Sequence, residues 1–96
     1  MVLKVQSHLG HHEAEVAEPE VSEAVFNKLT GKTVEPLPKE MQEKMPDTWR
    51  DLEALWTTGN EQFKVFTRDE QRELVLVREY NPEAKDLLFI PIQSGG

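Results

Sequence analysis

Asp86-Leu87-Leu88-Phe89-Ile90-Pro91-Ile92 decides how the rest of the chain is read. Leu87 to Ile90 is apolar at every position. A half-exposed strand alternates apolar and polar residues, so an unbroken run suits a strand covered on both faces. A strand this late in the chain is central in a sheet only if the chain returns to the middle, for example beside the first strand.

Working back from that run, Asn81-Pro82 marks a turn. Leu74 to Val77 is a second apolar run, and the charged Arg68-Asp69-Glu70-Gln71-Arg72 reads as the connection before it. Phe63 and Val65 alternate with Lys64, as in a strand. At the other end of the chain, Val2 to Gln6 reads as a strand with Leu3 and Val5 on one face. Ser7-His8-Leu9-Gly10 is a turn, because Gly10 tolerates positive φ. His12 to Val16 alternates again, so the first sixteen residues predict a hairpin. Pro19 suits the first position of a helix, and Glu18, Glu20 and Glu23 complement its positive end. Val21, Val25, Phe26 and Leu29 share one face of that helix, and Gly31 is placed to cap it.

Pro36, Pro38 and Pro46 punctuate the middle of the chain. Leu37, Met41 and Met45 recur at every fourth position, which predicts a short helix opened by Pro38. Thr48 and Asp51 have capping-box spacing at the head of a further helix. Its apolar stripe is Trp49, Leu52, Leu55 and Trp56, and Gly59 ends it. The fold class expected from this order is α+β.

The 96 residues fit one domain with a modest core. Hydrophobic residues make up 38% and charged residues 30%, too apolar for a disordered chain and too polar for a membrane protein. No run approaches the roughly 18 apolar residues of a spanning helix, and Met1-Val2-Leu3-Lys4-Val5-Gln6 lacks the apolar stretch of a signal peptide. There is no cysteine, which excludes disulfides, thiol catalysis and Cys-zinc sites. The simplest expectation is a cytoplasmic protein. A net charge of −7 argues against nucleic-acid binding through phosphate neutralisation and allows a basic protein partner. Its plainest role is solubility.

The order strand, strand, helix, helical insertion, helix and three strands, with the last strand central, resembles the β-grasp or ubiquitin-like fold. The segment Asp86-Leu87-Leu88-Phe89-Ile90-Pro91-Ile92-Gln93-Ser94-Gly95-Gly96 is similar to the end of sulfur-carrier proteins, most nearly the small subunit of molybdopterin synthase. That family ends in an acidic residue, an apolar strand, a proline and a free diglycine, matched here by Asp86, Pro91, Gly95 and Gly96. The hairpin and the Pro19-to-Gly31 helix match in order and rough length. The resemblance covers the two ends, roughly half the chain, and residues 32–60 hold more helix than a minimal carrier needs.

The resemblance implies a mixed sheet with one main helix and an inserted helical segment, in a single domain over residues 1–96 with a flexible tail at 93–96. It implies that Gly95 and Gly96 are the site of C-terminal activation, and that a sheet face carrying Phe89, Pro91 and Ile92 docks the partner. The implied partners are an ATP-using adenylating enzyme and an acceptor protein. The chain itself would be no enzyme and would hold no cofactor or metal. Two glycines lack Cβ atoms and so make a slim tail that can enter a narrow channel. Activated there as an acyl-adenylate, the carboxylate can become a thiocarboxylate or be passed to an amine. Phage tail-assembly proteins and bacterial ubiquitin-like proteins share the fold, so the fold does not fix the function. The alternative is a small acidic non-catalytic binding protein, such as a phage or bacterial inhibitor or assembly factor.

The remaining motifs point to no enzyme. His8, His11 and His12 are metal-ligating in type. His11 and His12 fall on opposite faces of a strand. His8 could meet one of them across the turn with help from Glu13, but no distant ligand completes a set, and an exposed His-rich hairpin is the simpler reading. Leu29-Thr30-Gly31-Lys32-Thr33 ends like a P-loop, but Phe26 stands where that motif needs glycine, and a helix precedes it rather than a strand. Glu13 and Glu15 have no pocket partner and read as solvated charge. Trp49, Trp56, Met41 and Met45 could form a partner groove. At helical spacing they read as core.

Overall fold

The computed structural model describes residues 1–7, 10–33, 35–57 and 62–92. Its elements are β1 (Val2–Ser7), β2 (Gly10–Glu15), α1 (Pro19–Leu29), α2 (Lys39–Glu43), the 3₁₀ segment η1 (Asp47–Leu52), α3 (Glu53–Thr57), β3 (Phe63–Arg68), β4 (Leu74–Val77) and β5 (Asp86–Pro91). The strands form one mixed sheet in the order β2-β1-β5-β3-β4. β5 runs parallel to β1, from Val2 beside Asp86 to Val5 beside Phe89. It runs antiparallel to β3, from Phe63 beside Pro91 to Phe66 beside Leu88. The last strand is therefore central, as its apolar run predicts. The result is a small α+β domain with a five-stranded mixed sheet, compatible with a β-grasp-like fold.

The β1–β2 hairpin keeps one register from Val2 opposite Glu15 to Ser7 opposite Gly10. Gly10 has φ +114°, a conformation that side chains resist, which accounts for glycine where β2 begins. α1 has Pro19 in its first turn and ends at Thr30, whose N–H donates to the Phe26 carbonyl. Gly31 follows at φ +83°, as a helix terminus of this kind requires. Val21, Val25, Phe26 and Leu29 are buried against the sheet, in one core with Leu3, Val5, Val65, Leu87 and Phe89. Tyr80, in the β4–β5 connection, packs against Phe26 in a tilted arrangement, with ring centroids 5.9 Å apart and planes at 60°. Its hydroxyl shares a 2.6 Å hydrogen bond with Ser22 Oγ.

The middle segment completes the same core. Leu37, Met45, Trp49, Leu52, Leu55 and Trp56 are buried. The Leu37 N–H donates to the Trp56 carbonyl, and Lys28 Nζ donates to the Glu35 carbonyl. The expected capping box is not formed. Pro46 holds the position before η1 with φ −59°, so Thr48 lies inside the first turn and cannot cap it, and no side chain caps η1. The helix expected from Thr48 is instead a 3₁₀ segment that becomes α-helical only at Glu53. Gly59 lies outside the described residues.

The expectation that β5 is covered on both faces is corrected. Leu87 and Phe89 are fully buried, whereas Leu88 and Ile90 are half-buried. The core takes its strand residues from the odd-numbered positions of β1, β3 and β5, together with all the buried helical residues. The helical layer therefore lies on one face of the sheet. The other face, toward which Leu88 and Ile90 point, carries no described layer.

These burials fix two outcomes. Trp56→Ala and Phe89→Ala should each cost about 3–5 kcal/mol in urea unfolding, against a total stability of about 5–15 kcal/mol for such a domain. Leu88→Ala should cost clearly less, because that side chain keeps part of its surface in water. A loss at Leu88 equal to that at Phe89 would contradict the one-sided core.

Lys44 Nζ lies 3.1 Å from Glu20 Oε1 and joins the end of α2 to the start of α1. Lys44 holds the Glu20 carboxyl below its ordinary 4.5, by hydrogen bonding and by charge. Glu20 in turn raises the Lys44 ammonium above 10.5. The depressed acid contributes stability at higher pH and loses it as pH falls through the lowered value. The raised base contributes stability at lower pH and loses it as pH rises through the elevated one. Both groups are exposed, so the effect is small and salt-sensitive. NMR titration should find the Glu20 midpoint below 4.5, returning toward it in Lys44→Met. A midpoint unmoved by that substitution would rule the pairing out.

Candidate functional site

Alternation along each strand sends successive side chains to opposite faces. On β5, Leu87 and Phe89 enter the core, so Leu88 and Ile90 point to the uncovered face. On β3, Phe63 and Val65 are buried, so Lys64, Phe66 and Arg68 share that outer face. Register extends it across the sheet. Leu88 stands beside Lys4 of β1 and Phe66 of β3, Phe66 beside Leu76 of β4, and Arg68 beside Leu74. Directly opposed side chains have Cβ atoms about 4.5–5.5 Å apart. Leu88, Phe66, Leu76 and Leu74 therefore form an apolar band from the centre of the sheet to its β4 edge. Leu74 and Leu76 are 52% and 45% exposed, which marks the edge as the open end of the band.

The outer face as a whole carries both signs of charge, with Lys4, Lys64 and Arg68 set among Glu13, Glu15 and Asp86. Among the outer positions of β3 and β4 the charged side chains are Lys64 and Arg68, with no carboxylate, in a protein of net charge −7. Asp86 of β5 shares the outer face with Leu88, next to Arg68 in the register of β3 and β5, and its Oδ1 is 3.4 Å from Thr67 Oγ1. A shallow concavity of about 180 Å³ lies along the band, and Lys4, Phe66, Arg68, Leu74, Asp86 and Leu88 are among the residues on its walls. Such a surface can bind apolar side chains and hold anionic groups at its rim.

The structure separates the residues expected to dock a partner. Phe89 is 0% exposed and packs in the core, so its assignment to a docking face is corrected. The unbroken apolar run concealed which of its residues point inward. Pro91 is half-buried opposite Phe63. Ile92 is 45% exposed, and its N–H donates to the Gln62 carbonyl where the chain leaves β5. Gly95 and Gly96, and the tail over 93–96, lie outside the described residues.

His8 also lies outside them. His11 and His12 stand opposite Gln6 and Val5, hence on opposite faces of β2. His11 Nε2 is 3.9 Å from Glu13 Oε2. Among the described residues no three His, Asp or Glu side chains converge as metal ligands. Trp49 and Trp56 stack at 5.8 Å and are buried, as core residues. They back a concavity of about 430 Å³ that Met45, Asp47, Arg50 and Glu53 help to line. No described helix is long and apolar enough to cross a membrane.

Sequence reading missed the outer band. The available signal was Leu74-Val75-Leu76-Val77 itself, an apolar run without alternation placed beside a short polar turn, which is where an edge strand falls in a hairpin. Comparison with protein-family models, with curated proteins and with solved structures finds no match to this chain.

Proposed function

We propose that this domain is a β-grasp, ubiquitin-like protein that works in the cytoplasm as a sulfur carrier or protein modifier through Gly95 and Gly96. One observation carries the reading. The last strand is threaded between β1 and β3, parallel to β1, and it delivers the chain to the surface at the exposed Ile92, just before Gln93-Ser94-Gly95-Gly96. The hairpin, the helix over one face and the central final strand support it in the same sense.

In this reading the chain supplies a reacting group and no catalytic side chain. An adenylating enzyme brings the Gly96 carboxylate to ATP. A carboxylate oxygen attacks the α-phosphorus, pyrophosphate leaves, and an acyl-adenylate forms. Hydrosulfide then displaces AMP and leaves a thiocarboxylate directly, or a persulfide of a donor protein displaces AMP to give an acyl disulfide. A second thiol cleaves the S–S bond of that acyl disulfide, which releases the thiocarboxylate and leaves the donor in a disulfide with that thiol. Alternatively an amine of an acceptor protein displaces AMP and loses a proton, which leaves an amide. Pro91 and Ile92, at the exit of β5, are the docking residues nearest the tail.

The second reading is a small acidic non-catalytic binding protein. The uncovered band of Leu88, Phe66, Leu76 and Leu74 favours it, since it requires no free carboxylate.

Deleting Gly95 and Gly96 should leave thermal stability nearly unchanged, because glycine buries almost no apolar area, and should abolish cellular activity. Intact-mass analysis of the protein from its native cell should show a thiocarboxylate, with one oxygen replaced by sulfur, or an amide to another protein. A free carboxylate alone, with a truncated chain that keeps its cellular role, would discard the carrier reading in favour of the binding protein.

A further inference from the structure

β4 is the edge of the sheet beyond β3. Its four residues are Leu74, Val75, Leu76 and Val77, of which the first three are 52%, 44% and 45% exposed. Edge strands are ordinarily protected from pairing by charge, proline or a bulge within the strand. β4 contains neither charge nor proline and pairs with β3 in an unbroken register.

The phase of its backbone is fixed by the hairpin. The Asp69 N–H donates to the Glu73 carbonyl, so Glu73 belongs to a hydrogen-bonded pair. Such pairs alternate along an antiparallel ladder. Val75 opposite Thr67 and Val77 opposite Val65 therefore also turn their backbone groups toward β3. Leu74 and Leu76 turn theirs outward. The residues that offer free edge N–H and C=O groups are thus the ones whose side chains extend the apolar band of Phe66 and Leu88. An added strand would meet a hydrogen-bonding template and a hydrophobic surface at one place.

Charge and register together select the occupant. A second copy fits poorly. Antiparallel self-pairing must set outward residues against outward residues. The register that opposes Leu74 to Leu76 of the second copy also opposes Arg72 to Arg78. Registers slipped by two residues oppose Leu76 to Leu76 but set Leu74 against Arg78, or oppose Leu74 to Leu74 but set Leu76 against Arg72. Like charges opposed, or leucine opposed to arginine, weaken each choice. Lys64 and Arg68 line the outer face with Asp86 of β5 beside Arg68, and Arg78 follows β4 directly. Glu73 and Glu79, which flank β4, fall on the opposite side-chain parity, so the charges nearest Leu74 and Leu76 at outer positions of β3 and the β4 ends are basic. A strand with apolar residues at its centre and acidic residues at its ends complements that arrangement.

We propose that the β4 edge receives an extended acidic-apolar segment of a partner protein as a sixth strand, bonded to the Leu74 and Leu76 backbone and held at its ends by Arg68 and Arg78. The site is independent of the Gly95-Gly96 tail and stands under either reading of the function.

The test uses the full chain and two soluble peptides. Both have a Val-Thr-Val-Thr-Val centre. One is flanked by aspartates and the other by lysines. The aspartate peptide should bind about tenfold tighter. It should shift the Leu74 and Leu76 amide resonances most and slow their hydrogen exchange. Leu76→Pro should abolish binding while the melting curve stays near that of the parent, because this N–H faces away from β3. Arg68→Glu with Arg78→Glu should reverse the peptide preference, and it carries the test should the proline variant fail to fold. Equal binding of both peptides, or no shift at Leu74 and Leu76, would overturn the proposal. So would sedimentation showing a dimer that Leu76→Lys dissolves, since the second copy would then be the occupant.

Discussion

The structure depends on the insertion of β5 between β1 and β3. Leu87 and Phe89 are the only β5 side chains that are fully buried, and they sit in one cluster with Leu3 and Val5 of β1, Phe63 and Val65 of β3, and the apolar face of α1. Without β5 the sheet divides into two hairpins, β1–β2 and β3–β4, with no hydrogen bonds between them. A lone hairpin is marginal in water. The pairing that unites them joins residues near opposite ends of the chain, Val2 with Asp86 and Val5 with Phe89. Its loop-closure entropy is spent before its contacts form, so this domain is set to fold through a non-local step.

That insertion also divides the sheet into two unlike faces. α1, α2, η1 and α3 supply one layer, and it covers the face bearing Leu87 and Phe89. Among the described residues no layer covers Leu88, Ile90 and Phe66, and they are half-buried. Lys4 and Lys64 flank them, and long basic side chains can cover apolar neighbours with their methylenes while the ammonium stays in water. On the same face Glu13, Glu15 and Asp86 stand near Lys4 and Arg68, so charges of both signs surround the apolar band, and only its β3 and β4 positions lack a carboxylate.

What was legible in the sequence was whatever local chemistry determines. Pro19, the spacing of Val21, Val25, Phe26 and Leu29, and Gly31 specify α1 with little tertiary help. Leu87 to Ile90 predicts a central strand, and β5 is central although only Leu87 and Phe89 of that run meet the helical layer. The same run hides the inward and outward phase, so it does not tell that Phe89 is buried and that Leu88 faces outward. Thr48 and Asp51 have the right spacing for a capping box, but Pro46 fixes the backbone two residues earlier and starts the turn there. The edge position of β4 was legible only in part, from an apolar run beside a polar turn. An apolar tetrapeptide reads alike at the centre or the rim of a sheet, and only the order of strands distinguishes them.

Folding accounts for most of the large apolar side chains here, and the exceptions are informative. Leu3, Val5, Trp49, Leu52, Phe63 and Phe89 are buried and need no further explanation. Leu74 and Leu76 are not, and polar β-formers such as threonine would complete the same ladder with β3 without inviting edge-to-edge association. Ile92 is likewise exposed just beyond the end of β5. These residues lie on the uncovered face or at the β5 exit. Stability of the isolated domain explains neither place, because surface substitutions there should change it by no more than about 0.5 kcal/mol. A sequence that keeps leucine at an open edge accepts an association hazard that binding would remove. The physical argument for a partner thus begins where the argument from folding ends, at Leu74 and Leu76, with backbone groups and side chains directed to the same open side of the sheet.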